Sequence, residues 1–290
     1  GTQKKAHLTG AIATVPVDDI QDISSGSLAS TLSGLANGIS VNGGDTRPGQ
    51  NATITIRQNG ELEEMGGTNL QPLYVIDGYI YPTEVKVGST YTNLGAEAFN
   101  NLDPSVVESI SILKDASAAV YGARAANGVI LITTKKGAEG KAKVSLNATW
   151  GIQKPSHMMD LLSAEEFVSA ILEMRDNKKA IDGGNPTTKY DGLNPADFGV
   201  GTNWGDHIYS SAPTLNINAN ISGGTDKLHY YLSAEYLNQE GIALNTGYQK
   251  AGFRSNIEAQ VSKMFKIGNN ANMTYRYTEG SGGTRFSDVI

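Results

Sequence analysis

Four imidazoles could hold a metal or move a proton in this sequence: His7, His157, His207 and His229. No two have the spacing of a helical ligand pair such as HExxH, so metal-assisted hydrolysis has no starting point. Glu61, Glu63 and Glu64 cluster in RQNGELEEMGG (57–67). Glycosidic hydrolysis needs two carboxyls held roughly 5–9.5 Å apart on a rigid frame, and a glycine-flanked stretch reads instead as a solvated turn. GVGTNWG (199–205) has the glycines of a nucleotide loop, but with the wrong spacing and no strand-to-helix setting. A GxSxG elbow and a phosphate-binding P-loop are both absent from the sequence. The chain has no cysteine, which removes thiolate nucleophiles, thiolate metal sites and disulfides together. The expectation is a protein that is not an enzyme, with no catalytic residue, metal site or cofactor.

The elements that would position any binding residue divide near residue 140. Beyond it the chain becomes a series of long alternating stretches. In TLNINANIS (214–222), Leu215, Ile217, Ala219 and Ile221 alternate with Asn216, Asn218, Asn220 and Ser222. AKVSLNATWGI (142–152), KLHYYLSAEY (227–236), AGFRSNIEAQV (251–261) and KIGNNANMTYRYT (266–278) alternate in the same way. Their polar sides are rich in amides and hydroxyls rather than the dense Lys and Glu of a solvated face. Charged residues are only 18% of the 290, against roughly a quarter in soluble domains.

Strands of about ten residues suit a tilted membrane crossing. Short connections (222–226, 262–266) alternate with long ones (153–213, 239–250), as in an up-and-down membrane barrel. Trp150, Tyr236, Phe253, Tyr275 and Tyr277 are expected at the strand ends nearest the long connections, as an interfacial girdle. A soluble β-sandwich also alternates, but it faces its charges outward. Five strands do not close a barrel, and open edges in lipid leave backbone groups unpaired. The expectation is the front part of a longer polypeptide, with this stretch starting downstream of any export signal. The net charge of −6 argues against nucleic-acid binding. No apolar run reaches the ~20 residues of a membrane helix.

Before residue 140 short strands alternate with short helices. Leu28, Leu32 and Leu35 have helical spacing, with Gly38 as a stop. NATITIR (51–57) alternates, and PLYVIDG (72–78) is a buried strand ending in an Asp-Gly turn. Asp103 caps a turn with Pro104 at its first position, followed by a strand through Ile110 and Ile112. DASAAVYG (115–122) reads as a short helix capped by Asp115, anchored by Tyr121 and stopped by Gly122. Arg124 and Lys114 are expected to pair with carboxylates. SAEEFVSAILEMRDN (163–177) is a helix with a Ser163–Glu166 capping box and a packing stripe of Phe167, Ile171 and Met174. The fold class is thus an α+β domain followed by antiparallel strands of a transmembrane β-barrel.

PLYVIDG (72–78) and ESISILKDASAAVYGARAANGVILITTKKG (108–137) resemble the signature of SusC/RagA-family TonB-dependent outer-membrane transporters. The resemblance continues through TNWGDHIYSS (202–211), ISGGTDKLHYYLSAEYLNQEGI (221–242) and FRSNIE (253–258). It implies a plug domain over 1–140 and, over 141–290, about five strands of a barrel of about 22. It also implies residence in the bacterial outer membrane of Bacteroidetes. Energy would come from TonB through a segment upstream of residue 1. A SusD-like lipoprotein lid would cover the outer mouth, outer-membrane lipid would surround the wall, and a dimer of such pairs is left open. The cargo would be an oligosaccharide or a peptide. Many members carry Arg-Gly and serines after the strand holding Arg57, where this chain reads RQNGELEEMGG. By analogy with such plugs, cargo contacts would come from Asn42, Asp45, Arg47 and Asn51 in one loop. In a second they would come from Tyr79, Tyr81, Tyr91 and Asn93. Amides, carboxylates and phenol rings suit sugar hydroxyls and peptide backbones alike. The rival from the residues alone is a β-rich surface adhesin or structural protein without transport.

Overall fold

The computed structural model describes residues 12–17, 20, 27–43, 47–56, 71–83, 85–87, 90–158, 160–182 and 190–280. The acidic cluster at 61–64 and Asp45 lie outside the described residues. The chain divides into two compact units, one of Gly1–Ile152, Pro213–Gly241 and Asn245–Ile290, the other of Gln153–Ala212 and Ile242–Leu244.

The first unit begins with β1 (Ile12–Val15), helix α1 (Leu28–Thr31), β2 (Ser40–Asn42) and β3 (Thr53–Thr55). β4 (Leu73–Ile76), β5 (Tyr79–Ile80), β6 (Val85–Val87), β7 (Thr90–Thr92) and α2 (Leu94–Asn100) follow, then β8 (Val107–Leu113) and β9 (Val129–Thr134). Five of these strands form one sheet in the order β1-β8-β9-β4-β5, while β2 pairs with β3 and β6 with β7. Within the sheet β4 and β9 run parallel, so their residues are apolar on both faces. Tyr74 and Ile76 of β4 point into the main core with Ile110, Ile112, Ile130, Ile132 and Phe99. Leu73 and Val75 point the other way, against Leu113, Ala118, Ala125 and Val129.

Local chemistry sets the turns. Asp77 and Gly78 both have positive φ, 51° and 84°, and join β4 to β5 in a two-residue hairpin. That backbone suits Asp-Gly because both central residues must be left-handed. The Asp103 carboxylate accepts from the Ser105 N–H, and Pro104–Val106 is a single 3-10 turn leading into β8, as its sequence indicates. Asp115–Tyr121 is a 3-10 helix rather than an α-turn, with Lys114 at the cap position and Asp115 the first residue inside. Gly122 ends it at φ 76°, and Tyr121 packs on the second cluster. Lys114 Nζ donates to the Asn37 carbonyl.

The rest of this unit is a wall of β10 (Gly140–Gln153), β11 (Ala212–Gly224), β12 (Leu228–Glu240), β13 (Gly247–Ser262) and β14 (Phe265–Glu279). They pair in sequence order, β11 to β14 by antiparallel hairpin registers. The polarity of this wall is inverted relative to a soluble sheet. Val144, Leu146, Trp150, Phe253, Met273, Tyr275 and Tyr277 are exposed. Asn218, Tyr231, Ser233, Lys250, Arg254 and Asn256 on the opposite face are buried. Trp150, Tyr236, Tyr275 and Tyr277 fall toward the long-connection ends of their strands. Phe253 does not: it stands level with Ala234 and Met273 in mid-strand, because β13 starts at Gly247 rather than Ala251.

The second unit contains α3 (Ala164–Asp182) and α4 (Trp204–Ile208). The capping box closes as its sequence demands: Glu166 Oε2 accepts from Ser163 N and Oγ, both at 2.8 Å, and Ser163 Oγ accepts from Glu166 N at 3.2 Å. The backbone N–H of Ser163, then its hydroxyl, holds the Glu166 carboxyl below its ordinary value. The packing stripe is not the expected one. Val168 is buried, with Ala164, Ile171 and Leu172 half-buried beside it, whereas Phe167 and Met174 are exposed. The 199–201 segment sets that face: Ala164 N and Glu165 N donate to the carbonyls of Val200 and Gly199, so the helix side carrying Ala164 and Val168 turns inward. Among the described residues, no helix is long and apolar enough to cross a membrane.

Candidate functional site

The inner face of the wall meets the small domain at two charged stations. The first gathers around the β4–β5 hairpin. Asp77 Oδ2 accepts from Arg254 Nη2 at 2.6 Å, from Thr134 Oγ1 at 2.6 Å and from Asn270 Nδ2 at 2.8 Å. Its other oxygen accepts from the Thr134 N–H at 2.8 Å. Arg254 Nη2 also donates to Thr134 Oγ1 and to Asn270 Oδ1. The two charged side chains are only 5% and 8% exposed. Burial pushes the Asp77 carboxyl up, but the hydrogen bonds from Thr134 and Asn270 and the Arg254 charge outweigh it and hold it below its ordinary value. The left-handed backbone at Asp77 aims the carboxylate across to Thr134 on the parallel neighbour and on to the wall.

The second station stands nearer the long-connection end of β14. Arg276 Nη2 donates to Glu97 Oε2 at 2.7 Å, and Asn51 Nδ2 donates to Glu97 Oε1 at 3.3 Å. This pair is 33% and 34% exposed. Between the stations, Asn218 Nδ2 donates to Asp103 Oδ2 at 3.1 Å, and Lys250 pairs with Glu235 at 3.0 Å. Asn270 and Arg276 are six residues apart on β14, so the stations are about 20 Å apart along the strand.

These distances divide the expected cargo residues. Asn51 belongs to the Glu97 station, and Asn42 and Arg47 are exposed nearby in sequence. Tyr79 and Tyr81 belong to the Asp77 hairpin, their rings edge-on with centroids 4.9 Å apart. Burial raises the Tyr81 hydroxyl pKa, against the opposing pull of Arg254. Asn93 is buried, caps α2 by accepting from Ala96 N at 3.0 Å, and donates to Gln71 at 2.8 Å. Tyr91 lies on β7, and its side chain is outside the described residues. The residues that carry the contact, Asp77, Arg254, Glu97 and Arg276, were not among the expected ones. One signal was present: an arginine on the inward side of FRSNIE, beside Asn256, calls for a carboxylate partner once it is buried.

This arrangement of a mixed sheet braced on the polar face of an up-and-down wall has known counterparts. Residues 4–129 match the TonB-dependent Receptor Plug Domain family. A TonB-dependent receptor of Formosa agariphila is 32% identical over 280 residues, 95% of this chain and 26% of that protein. The TonB-dependent receptor SusC of Bacteroides thetaiotaomicron is 32% identical over 253 residues, 86% of this chain and 23% of SusC. The structure of the RagAB peptide importer in its open-open state superposes with a TM-score of 0.73 at 26% identity, over 95% of this chain and 31% of that one. This chain belongs to the SusC/RagA family of TonB-dependent receptors. Its small domain is the plug, its long strands are barrel wall, and it is an outer-membrane protein. The chain spans about a quarter of the length of the curated relatives it matches. The soluble-sandwich alternative falls away.

Proposed function

We propose that this plug and wall serve a TonB-driven importer of a large nutrient, an oligosaccharide or a peptide, with the plug as gate and a SusD-like lipoprotein as lid. The short turns 225–227 and 263–264 face the periplasm and the long connections face outward. On that orientation Asn51, with Arg47 and Asn42 close by in sequence, offers polar contacts on the outward side. Tyr79 and Tyr81 sit deeper, at the Asp77 hairpin, and would meet cargo only once the plug is remodelled. Gating requires two plug arrangements that cargo and TonB favour differently. The supporting observation is the plug–wall contact itself. It is made by hydrogen bonds and ion pairs among Asp77, Thr134, Arg254, Asn270, Glu97 and Arg276. Alongside them the wall side chain Tyr231 packs into the plug's main core cluster, so moving the plug parts both polar and apolar contacts.

The test is purification of the full-length receptor from outer membranes in mild detergent, with mass spectrometry of what accompanies it. A SusD-like lipoprotein in equal amount, with oligosaccharide or peptide bound, is the expected outcome. A receptor that arrives alone, or in the soluble fraction, overturns the reading.

A further inference from the structure

Helix α2 grips the Asn51 segment at two points. Asn100, at its C-terminal end, donates to the Ala52 carbonyl at 3.1 Å and accepts from Ser27 Oγ at 2.6 Å. Ser27 Oγ in turn accepts from the Ala52 N–H at 3.2 Å. Both polar groups of the Ala52 backbone are therefore tied, and Ser27 and Asn100 are buried. One turn earlier, Glu97 holds the side chain of Asn51 with one oxygen and the wall residue Arg276 with the other. Two residues before Asn51, Gly49 lies against the wall at φ 73°. A Cβ there would sit 2.3 Å from the Tyr248 ring and 3.0 Å from the Thr278 hydroxyl.

The direction of the Asn51–Glu97 bond carries information. An ionised carboxylate only accepts hydrogen bonds, whereas an amide has one donating end and one accepting end. The carboxylate therefore selects one of the two flips of the Asn51 amide, which local shape alone would not distinguish. Nδ2 turns to Glu97 and Oδ1 turns away. Among the described residues no donor reaches that oxygen.

We propose that Glu97 is a positioning residue. It fixes the flip of Asn51 so that the amide oxygen is presented as an acceptor to cargo hydroxyl or N–H groups, and it ties that presentation to the wall through Arg276. The cargo role of Asn51 rests on the importer reading above, but the Glu97 tether is a property of the receptor without cargo. Its test therefore stands apart from the fate of that reading.

The experiment is hydrogen exchange by mass spectrometry on the full-length receptor in detergent, without cargo. It compares wild type, Glu97→Gln, Glu97→Ala and Arg276→Glu, each at low and high NaCl. The amides of Gln50, bonded to the Arg47 carbonyl, and Ala52 report on the loop. The Thr134 amide, held by Asp77, is the internal control. The single variants are expected to speed exchange at 50–52 by roughly two- to five-fold, the scale of a half-exposed ion pair. High salt is expected to mimic this in wild type but not in Glu97→Gln. Unchanged exchange at 50–52 in the single variants overturns the proposal. So does an equal rise at Thr134, which marks general loosening.

Discussion

The two stations use the same pair of groups, an arginine from the wall and a carboxylate from the plug, yet they differ in surroundings. Arg254 and Asp77 are nearly sealed from water and share Thr134 and Asn270. Arg276 and Glu97 are each about one-third exposed, and the Asn51 amide bonds Glu97 alone of the two. A buried pair is costly to break because the survivor is left charged without solvent. A half-exposed pair is replaced by water and salt at little cost. The deep station therefore fixes where the plug sits, and the outer station adjusts a loop on a plug already seated.

The strongest challenge to this contrast is Arg254→Ala. Removing the guanidinium strands Asp77 in a dry site, and the expected loss of plug attachment is about 3–5 kcal/mol. Protease accessibility of the plug in the full-length receptor, followed against urea, measures it. A loss no greater than that at Arg276 would erase the distinction between the stations.

Acid makes a subtler cut at the same place. The Asp77 carboxyl is held below its ordinary value, so its contribution is complete above the unfolded value near 3.8. It is lost as pH falls through the lower folded value. The Asp77 share of plug attachment, taken as the difference between wild type and Asp77→Asn, should thus be flat around neutrality and fade only in strong acid, as read by the same proteolysis across a pH series. Weakening that began between pH 5 and 7 would show that another group controls the seam.

The smallest effect is expected from Arg276→Gln. It should cost roughly 0.2–1 kcal/mol at low salt and nothing measurable at high salt. Denaturant midpoints for plug release at two NaCl concentrations would reveal it. A salt-independent loss would mean that the outer station is not electrostatic.

Much of this fold was legible in the sequence because membrane walls and small cores leave local, periodic marks. All five wall strands could be read from alternation, since small polar residues such as Asn216, Asn220 and Asn256 are followed by outer apolar ones. The Asp77-Gly78 turn, the Asp103-Pro104 start and the Ser163–Glu166 box are each decided within a few residues. What escaped was decided at a distance. Asp77 reaches Arg254 across 177 residues, and Glu97 reaches Arg276 across 179, with no local pattern to announce either. The same limit explains the helix stripe. Phe167 is the larger apolar residue, but the partner segment at 199–201 lies on the side of Val168. Among the expected cargo residues, Asn93 reads as a free polar side chain in sequence, yet it is occupied by Ala96 and Gln71.

The inverted wall has a calorimetric consequence. Heat capacity rises when apolar surface is wetted and falls slightly when polar surface is. The wall turns Asn218, Ser233, Lys250, Arg254 and Asn256 toward the plug and keeps Leu215, Ile217 and Phe253 on its other side. Withdrawing an intact plug would therefore wet amides, hydroxyls and ions together with a few side chains such as Tyr231 and Tyr248, and raise the heat capacity only a little. Melting the plug would instead wet Ile110, Ile112, Ile130, Ile132 and Phe99, and raise it. Displacement and unfolding of one small domain thus have different thermal signatures, because the wall it meets is far more polar than its own core.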